Sequence, residues 1–232
     1  MKRDTPGFIR RLYGIFQEGA LLLLIRHGET TWNAENRVQG QSDSPLSEVG
    51  IAQARALADR LKDEPIAAAY SSDLSRAFET AKIIAEPHGL GVIASHTLRE
   101  ADYGEWTGRT MDEVRADWSE AYADYVSDPA NARIPGGESV LELVRRSHTC
   151  AVEIAQRHPG ENILIVGHGG SVRGIICGIL DRVELFWNFK LSNAGLTVIE
   201  WKETGPRVIA LNDVCHLIGA QPGAVGANGE EC

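Results

Sequence analysis

The sequence predicts an α/β fold, in which a mostly parallel central sheet is flanked by helices on both faces as a three-layer sandwich. Two observations indicate this class. Short apolar runs alternate with longer segments of helical periodicity, and several of the runs are apolar at every position. Strands that are apolar on both sides are typical of parallel sheets covered by helices. Regular alternation of strands and helices also favours right-handed crossovers between parallel strands.

Each predicted strand is a short run of mainly aliphatic residues bounded by loop-forming residues. In chain order these strands are residues 20–25, 66–71, 91–95, 163–166, 197–201 and 207–211. The predicted helices repeat apolar residues every three or four positions. Four of them cover residues 46–61, 111 to about 126, 138–157 and 170–180. A fifth begins at Ser72 or Asp73 and runs through Ile84. Ser47, Ser72 and Asp73 are candidate N-caps because their side-chain oxygens can accept free amide protons.

The chain divides into an N-terminal leader or arm (residues 1–19), one folded domain (20–217) and a flexible tail (218–232). The basic residues before position 12 and the following apolar run resemble a signal peptide. However, the run is short, and Arg26 and His27 interrupt it, which favours a buried first strand. Residues 1–19 form either a loosely attached leader or an apolar arm that docks on its own subunit or on a partner subunit.

Composition limits the function classes. The 232 residues are 43% hydrophobic and 24% charged, and the net charge is −9. An acidic chain of this kind is not expected to bind nucleic acid, and the longest aliphatic run is too short to cross a membrane. The four cysteines show no zinc-site spacing, which favours free thiols in a reducing, cytoplasmic compartment.

Reactive side chains cluster at predicted strand ends. Arg26 and His27 end the first strand, and His168 follows the strand at 163–166. Arg76 lies just beyond the second strand, and Glu100 follows the third. The carboxyl ends of parallel strands share one edge of a sheet, where α/β proteins bind ligands. Taken singly, each residue also has a structural explanation, for example Arg76 as a surface partner of Glu79.

The same segments carry a resemblance to a known family. Residues 24–30 (LIRHGET) resemble the Arg-His-Gly signature of the histidine phosphatase superfamily, which comprises the phosphoglycerate mutase-like proteins. The similarity continues in order through Asn33, residues 40–46 (GQSDSPL), 71–76 (SSDLSR), 98–100 (LRE), 135–139 (PGGES) and 166–169 (VGHG), and it spans about residues 20–217.

The resemblance implies that His27 is a nucleophile that forms a phosphohistidine and that Glu100 is the proton donor. It further implies that Arg26, Arg76, Asn33, His168 and Gly169 bind the phosphate, with His168 donating best when protonated. No metal ion or other cofactor is required in this scheme. A metal site made of His27, His168 and Glu100 is the alternative chemistry.

The resemblance favours the phosphatase branch for two reasons. The separation of Glu100 and His168, 168 − 100 = 68 residues, lacks the longer insertion that cofactor-dependent mutases carry there, and the mutase pattern is absent near residue 40. The resulting prediction is a metal-independent phosphomonoesterase that hydrolyses a small phosphorylated metabolite. A phosphoglycerate mutase that depends on 2,3-bisphosphoglycerate is one alternative, and a non-catalytic phospholigand-binding module is another. A homodimer is a reasonable expectation from the resemblance.

Substrate specificity is expected to reside in residues 101–139, which are predicted to arch over the pocket. This segment contains the aromatic residues Tyr103, Trp106, Trp118, Tyr122 and Tyr125. They are interpreted either as the core of a lid or as groups that contact the ligand. Trp187 and Phe189 are interpreted as core or subunit-interface residues.

Overall fold

A single six-stranded sheet forms the centre of the molecule in the computed structural model, which describes residues 8–14 and 19–218. Its strands are β1 (Ala20–Arg26), β2 (Ile66–Ser71), β3 (Val92–Ala94), β4 (Asn162–Gly167), β5 (Leu196–Lys202) and β6 (Gly205–Asp213). From edge to edge the order is β3-β2-β4-β1-β5-β6. The first four strands are mutually parallel, and β5 and β6 add an antiparallel edge. The predicted mostly parallel sheet is therefore confirmed.

Helices cover both faces of the sheet. They are α1 (Phe8–Leu12), α2 (Thr31–Ala34), α3 (Glu48–Leu61), α4 (Ser75–Ala85), α5 (Met111–Asp117), α6 (Ser119–Ser127), α7 (Val140–Arg157) and α8 (Gly169–Leu180). Side chains of β1 point alternately to the two sides. Leu21 and Leu23 pack with residues of α3 and α4, and Leu22 and Leu24 pack with residues of α7 and α8. This alternation places β1 at the centre of a three-layer sandwich.

A third apolar cluster forms beyond the carboxyl ends of the parallel strands. It contains Trp106, Val114, Tyr125 and Phe186, all of which are buried. The single helix predicted over residues 111 to about 126 is wrong in one respect, because the backbone breaks at Trp118 and separates α5 from α6. This cluster forms one wall of the candidate site described below.

The start of α4 also differs from the prediction. Its N-cap is Leu74, which supplies no side-chain hydrogen bond, rather than Ser72 or Asp73. Asp73 is engaged elsewhere, because its carboxylate binds the Arg99 guanidinium at 2.6 Å. A carboxylate from a distant loop replaces it: Asp43 Oδ1 accepts from the backbone nitrogen and the hydroxyl of Ser75, both at 2.9 Å. Such a cap cannot be recognised from local sequence.

The described part of the N-terminal arm packs on its own chain. Ile9 is completely buried against the β1 face that carries Leu21, and its backbone nitrogen donates to Glu64 Oε2 at 2.9 Å. Burial of an isoleucine side chain stabilises a fold by roughly 2 kcal/mol. Residues 1–7 and 15–18 of the predicted arm lie outside the described residues, as do residues 219–232 of the predicted tail. In the part of the chain that the structure describes, no helix is long and apolar enough to span a membrane.

Candidate active site

The two histidines meet because their strands are neighbours. His27 follows the last residue of β1, and His168 follows the last residue of β4. The backbone nitrogen of His27 donates to the carbonyl oxygen of Gly167 at 3.0 Å, which extends the β1–β4 pairing by one residue. The two imidazole rings lie edge to face with their centroids 5.1 Å apart. The sheet thus brings together two residues that are far apart in sequence.

The His27 ring is oriented by a backbone carbonyl group. Its ring Nδ1 lies 2.7 Å from the carbonyl oxygen of Gly28, which can only accept, so Nδ1 carries the proton. Burial, reinforced by the positive charges of Arg76 and Arg26, holds the pKa of His27 well below its usual value. The imidazole is therefore neutral near pH 7, and its lone pair is on Nε2.

Arg76 is buried rather than exposed. Its Nη atoms donate to the carbonyl oxygens of Ser42 and Gly40, each at 2.7 Å. Burial lowers its pKa to about 10, although the nearby carboxylates of Glu100 and Asp43 oppose the shift. The alternative pairing with Glu79 is not formed, because Glu79 binds Lys82 at 3.1 Å. Arg76 therefore remains a cation that is held by carbonyl groups.

Arg26 is arranged in the same way. One Nη atom donates to the carbonyl oxygen of Leu191 at 2.7 Å, and burial lowers the pKa of the guanidinium. The Nε atoms of Arg26 and Arg76 are buried and have no hydrogen-bond partner within the described residues. Unpaired buried donors are costly unless a ligand satisfies them. Two such donors on two guanidinium groups indicate an anion-binding site.

His168 adds further donor capacity to this site. The ring is fully buried, and neither ring nitrogen finds a partner among residues 8–14 and 19–218. Burial lowers its pKa well below the usual value, and the charge of Arg76 adds to this effect. The His168 ring, which is expected to donate best when protonated, is therefore neutral near pH 7 in the folded protein. A neutral ring still offers one N–H, and a bound dianion would favour the protonated form.

The Glu100 carboxylate is fixed by backbone amides. Oε1 accepts from the nitrogens of Ala101 at 2.8 Å and Gly170 at 3.0 Å, and Gly170 also lies 3.1 Å from Oε2. Gly169 is adjacent, since a Cβ built on it would lie 3.7 Å from Arg26 Nε and 3.8 Å from Glu100 Oε2. The N-terminus of α8 therefore holds the Glu100 carboxyl group next to the guanidinium group of Arg26.

Asn33 also belongs to the site, and sequence reasoning missed the residue that orients it. Its Oδ1 accepts from the Thr30 nitrogen at 3.2 Å and from Asn193 Nδ2 at 3.3 Å, so its Nδ2 group is the one a ligand would meet. Asn193 also donates to the carbonyl oxygen of His27 at 3.0 Å. Asn193 lies in a turn in which Ala194 has a positive φ of 54°, and the sequence analysis did not single it out.

A cavity of about 270 Å³ is lined by five of these residues, Arg26, His27, Asn33, Arg76 and Glu100. The fully buried His168 is not among the lining residues. The lining also contains residues 36–40 and the apolar and aromatic side chains of Tyr103, Trp106, Met111, Tyr125 and Trp187. A polar anion site beside an apolar wall matches a small organic phosphate.

The predicted specificity segment therefore contributes in part. Tyr103, Trp106 and Tyr125 line the cavity, and Trp106 and Tyr125 are at the same time buried core residues. Trp118 lies outside the cavity lining and donates to Glu105 at 3.2 Å. Trp187 joins the wall and donates to the carbonyl oxygen of Tyr125 at 2.9 Å. Residues 36–39 form another part of the wall, which sequence reasoning did not anticipate.

Comparisons with known proteins agree with this geometry. The chain is 36% identical over 197 residues to phosphoserine phosphatase 1 from Hydrogenobacter thermophilus, covering 84% of this chain and 93% of the relative. It is 37% identical over 202 residues to a probable phosphoglycerate mutase GpmB from Yersinia pestis, with the same coverage. The solved structure of YhfR from Bacillus stearothermophilus superimposes with a TM-score of 0.81 at 34% identity, covering 85% of this chain and 99% of that one. Residues 22–214 match the model of branch 1 of the histidine phosphatase superfamily. The chain therefore belongs to the histidine phosphatase superfamily.

Proposed function

We propose that this protein is a metal-independent phosphomonoesterase that hydrolyses a small phosphorylated metabolite through a phosphohistidine. The observation that carries the proposal is the 2.7 Å contact between His27 Nδ1 and the carbonyl oxygen of Gly28, which places the ring proton on Nδ1 and leaves the Nε2 lone pair for attack on phosphorus. This lone pair belongs to a residue that lines the same cavity as two guanidinium groups. A nucleophile beside an anion site is what phosphoryl transfer requires.

In the first step, Nε2 of His27 attacks phosphorus, so a P–N bond forms and the P–O bond to the leaving group breaks. Arg26, Arg76 and His168 stabilise the negative charge on the oxygens that stay on phosphorus. Asn33 adds a neutral donor. Protonated Glu100 transfers its proton to the leaving alkoxide, which departs as an alcohol, and Glu100 becomes a carboxylate.

In the second step, water attacks the phosphohistidine. The carboxylate of Glu100 takes a proton from this water as the new P–O bond forms and the P–N bond breaks. Inorganic phosphate leaves, His27 returns to its neutral form, and Glu100 is again protonated. The roles of Glu100 in the two steps are the reverse of each other, which microscopic reversibility allows for a single carboxyl group.

Phosphoglycerate mutase activity is the second candidate, because a relative of 37% identity is named a probable phosphoglycerate mutase. A mutase returns the phosphoryl group to a second oxygen of the substrate, whereas a phosphatase admits water. A requirement for 2,3-bisphosphoglycerate would support the mutase. A homodimer in the cytoplasm remains a prediction from the sequence.

The test is phosphate release from p-nitrophenyl phosphate and from a panel of phosphorylated metabolites, with phosphoserine and 3-phosphoglycerate included. The assay contains EDTA, and His27→Ala is measured beside the wild type. Release that depends on His27 supports the phosphatase, and the ranking of the panel indicates the substrate class. If the wild type releases no phosphate but isomerises phosphoglycerate when 2,3-bisphosphoglycerate is added, the protein is a mutase and the phosphatase proposal is wrong. Inactivity in both assays would leave the non-catalytic phospholigand-binding module.

A further inference from the structure

A bidentate ion pair lies directly behind the loop that carries Glu100. Arg146, on α7, approaches Glu138 with Nη2 2.5 Å from Oε1 and Nε 3.0 Å from Oε2. Both side chains are largely buried, at 22% and 15% exposure. None of the roles assigned above uses either residue, although Glu138 lies in the 135–139 motif.

The Arg146 guanidinium also binds three carbonyl groups of that loop. Nη1 donates to the carbonyl oxygens of Thr97 at 3.0 Å and Arg99 at 2.7 Å. Nη2 donates to the carbonyl oxygen of Glu100 itself at 2.8 Å. With the two bonds to Glu138, all five N–H donors of the guanidinium are paired. No other side chain could supply this pattern, because only arginine has five donors in a planar fork.

Glu138 holds the far end of the same loop. Its Oε1 accepts from the Asp102 nitrogen at 2.9 Å, and its own backbone nitrogen donates to the Asp102 carbonyl oxygen at 3.0 Å. The segment from Thr97 to Asp102 is therefore fixed at both ends by one pair of side chains. Residues 99–103 form neither helix nor strand, so this pair replaces the regular hydrogen bonding that such backbone lacks.

We propose that Arg146 and Glu138 are positioning residues for Glu100. They fix the main chain at residue 100, so that the carboxyl group meets the Gly170 amide and stays in reach of the leaving oxygen. This inference rests on the proposed function, in which Glu100 is the proton donor. Proton transfer depends on hydrogen-bond distance, and a displacement of about 1 Å can lower a rate by roughly 100-fold.

The test compares two leaving groups. An alkyl phosphate such as phosphoserine needs a proton on its leaving oxygen, whereas p-nitrophenyl phosphate needs little protonation. In Arg146→Lys, which keeps the charge but loses the fork, we expect kcat/KM, which reports the phosphorylation step, to fall by at least about tenfold on the alkyl phosphate and by less than about threefold on p-nitrophenyl phosphate. Glu138→Gln, which keeps the size of the side chain, should show the same selectivity, with a larger loss on the alkyl phosphate than on p-nitrophenyl phosphate.

Arg157→Lys is the matched control, because Arg157 forms an exposed pair with Glu153 on the same helix. It should leave both rates unchanged. Equal losses of kcat/KM on both substrates in Arg146→Lys, or no loss on either, would overturn the positioning role. In a Glu100→Gln background, Arg146→Lys should cause no further loss that is specific to the alkyl phosphate, because the proton donor is already gone. An undiminished specific loss there would also contradict the inference.

A second measurement separates this inference from the proposed function. If the wild type releases phosphate from no compound, the proposed function fails, and hydrogen–deuterium exchange then tests the pair alone. Exchange of the backbone amides in residues 97–102 should become at least about tenfold faster in Arg146→Lys and stay unchanged in Arg157→Lys. Equal protection in wild type and Arg146→Lys would overturn the inference whatever the activity.

Discussion

The backbone nitrogen of Gly170 donates to both carboxylate oxygens of Glu100, at 3.0 and 3.1 Å. This contact leaves no room for a side chain, since a Cβ built on Gly170 would lie 2.1 Å from Glu100 Oε1. Glycine is required here by the close approach of the carboxylate, not by the backbone conformation, because its φ is not positive. Glu100, the proposed proton donor, is therefore held directly by the first turn of α8.

Gly170→Ala should displace the carboxylate of Glu100. We expect kcat on an alkyl phosphate to fall by about 100-fold, because a misplaced acid no longer protonates the leaving oxygen. Steady-state kinetics with phosphoserine and p-nitrophenyl phosphate will check this. Gly91→Ala is the control, since nothing lies within 4 Å of the added methyl group. Unchanged kcat in Gly170→Ala would show that Glu100 does not need its observed position.

The free energy of unfolding should decrease as the pH is lowered below about 6.5, because His27 and His168 are held neutral in the folded protein. Both take up protons on unfolding below about pH 6.5, so the stability that they contribute is complete above that pH and is lost as the pH falls. Each contributes a slope of at most about 1.4 kcal/mol per pH unit. The free energy of unfolding, measured with urea at several pH values between 6.5 and 4.5, should change less per pH unit in His168→Gln than in the wild type. The exposed His96→Gln variant is the control, and a slope in His168→Gln equal to that of the wild type would refute the prediction.

Asp213 joins the N-terminal arm to the domain. The Tyr13 hydroxyl donates to Asp213 Oδ2, and Arg60 binds both carboxylate oxygens, at 2.8 Å and 2.5 Å. Tyr13→Phe should lower the free energy of unfolding by about 1 kcal/mol through the lost hydrogen bond. Arg60→Ala should lower it by about 3 kcal/mol, because it leaves a largely buried carboxylate without its cation. Denaturant unfolding measures both, and Lys82→Ala in an exposed ion pair should change stability by less than about 0.5 kcal/mol. An effect of Arg60→Ala no larger than that of Lys82→Ala would contradict this account of the arm.

Activity should be insensitive to EDTA, because Arg26, Arg76 and His168 are proposed to stabilise the charge that a divalent ion stabilises in other phosphatases. Among residues 8–14 and 19–218, no group of three or more His, Cys, Asp or Glu side chains is placed to hold a metal ion. Initial rates before and after dialysis against EDTA test the prediction. A loss of rate that added Mg²⁺, Mn²⁺ or Zn²⁺ restores would favour the alternative metal chemistry.

The order of strands and helices could be predicted because it rests on periodicity. Aliphatic runs such as residues 20–25 and 163–166 are long enough to identify the strands, and those strands end where His27 and His168 lie. Motif resemblance then identified Glu100, whose role local sequence does not show. These predictions rely on patterns that are contiguous in the chain.

The contacts that could not be predicted join distant segments. Asp43 caps α4 in place of Ser72 or Asp73, and Asn193 orients Asn33 from a loop late in the chain. The five bonds of Arg146 likewise depend on how α7 packs behind the loop that carries Glu100. Such hydrogen bonds leave no periodic signal in the sequence, because each partner is chosen by the tertiary fold.

The central claim is that phosphate passes through His27, and trapping the intermediate tests it most directly. The wild type is mixed with the best substrate of the panel, quenched within milliseconds in alkali, which preserves phosphohistidine, and analysed by tandem mass spectrometry. We predict one phosphoryl group on His27 in the wild type, more of it in Glu100→Gln with an aryl phosphate, and none in His27→Ala. Turnover without any phosphohistidine, or with the phosphoryl group on another residue, would contradict the mechanism.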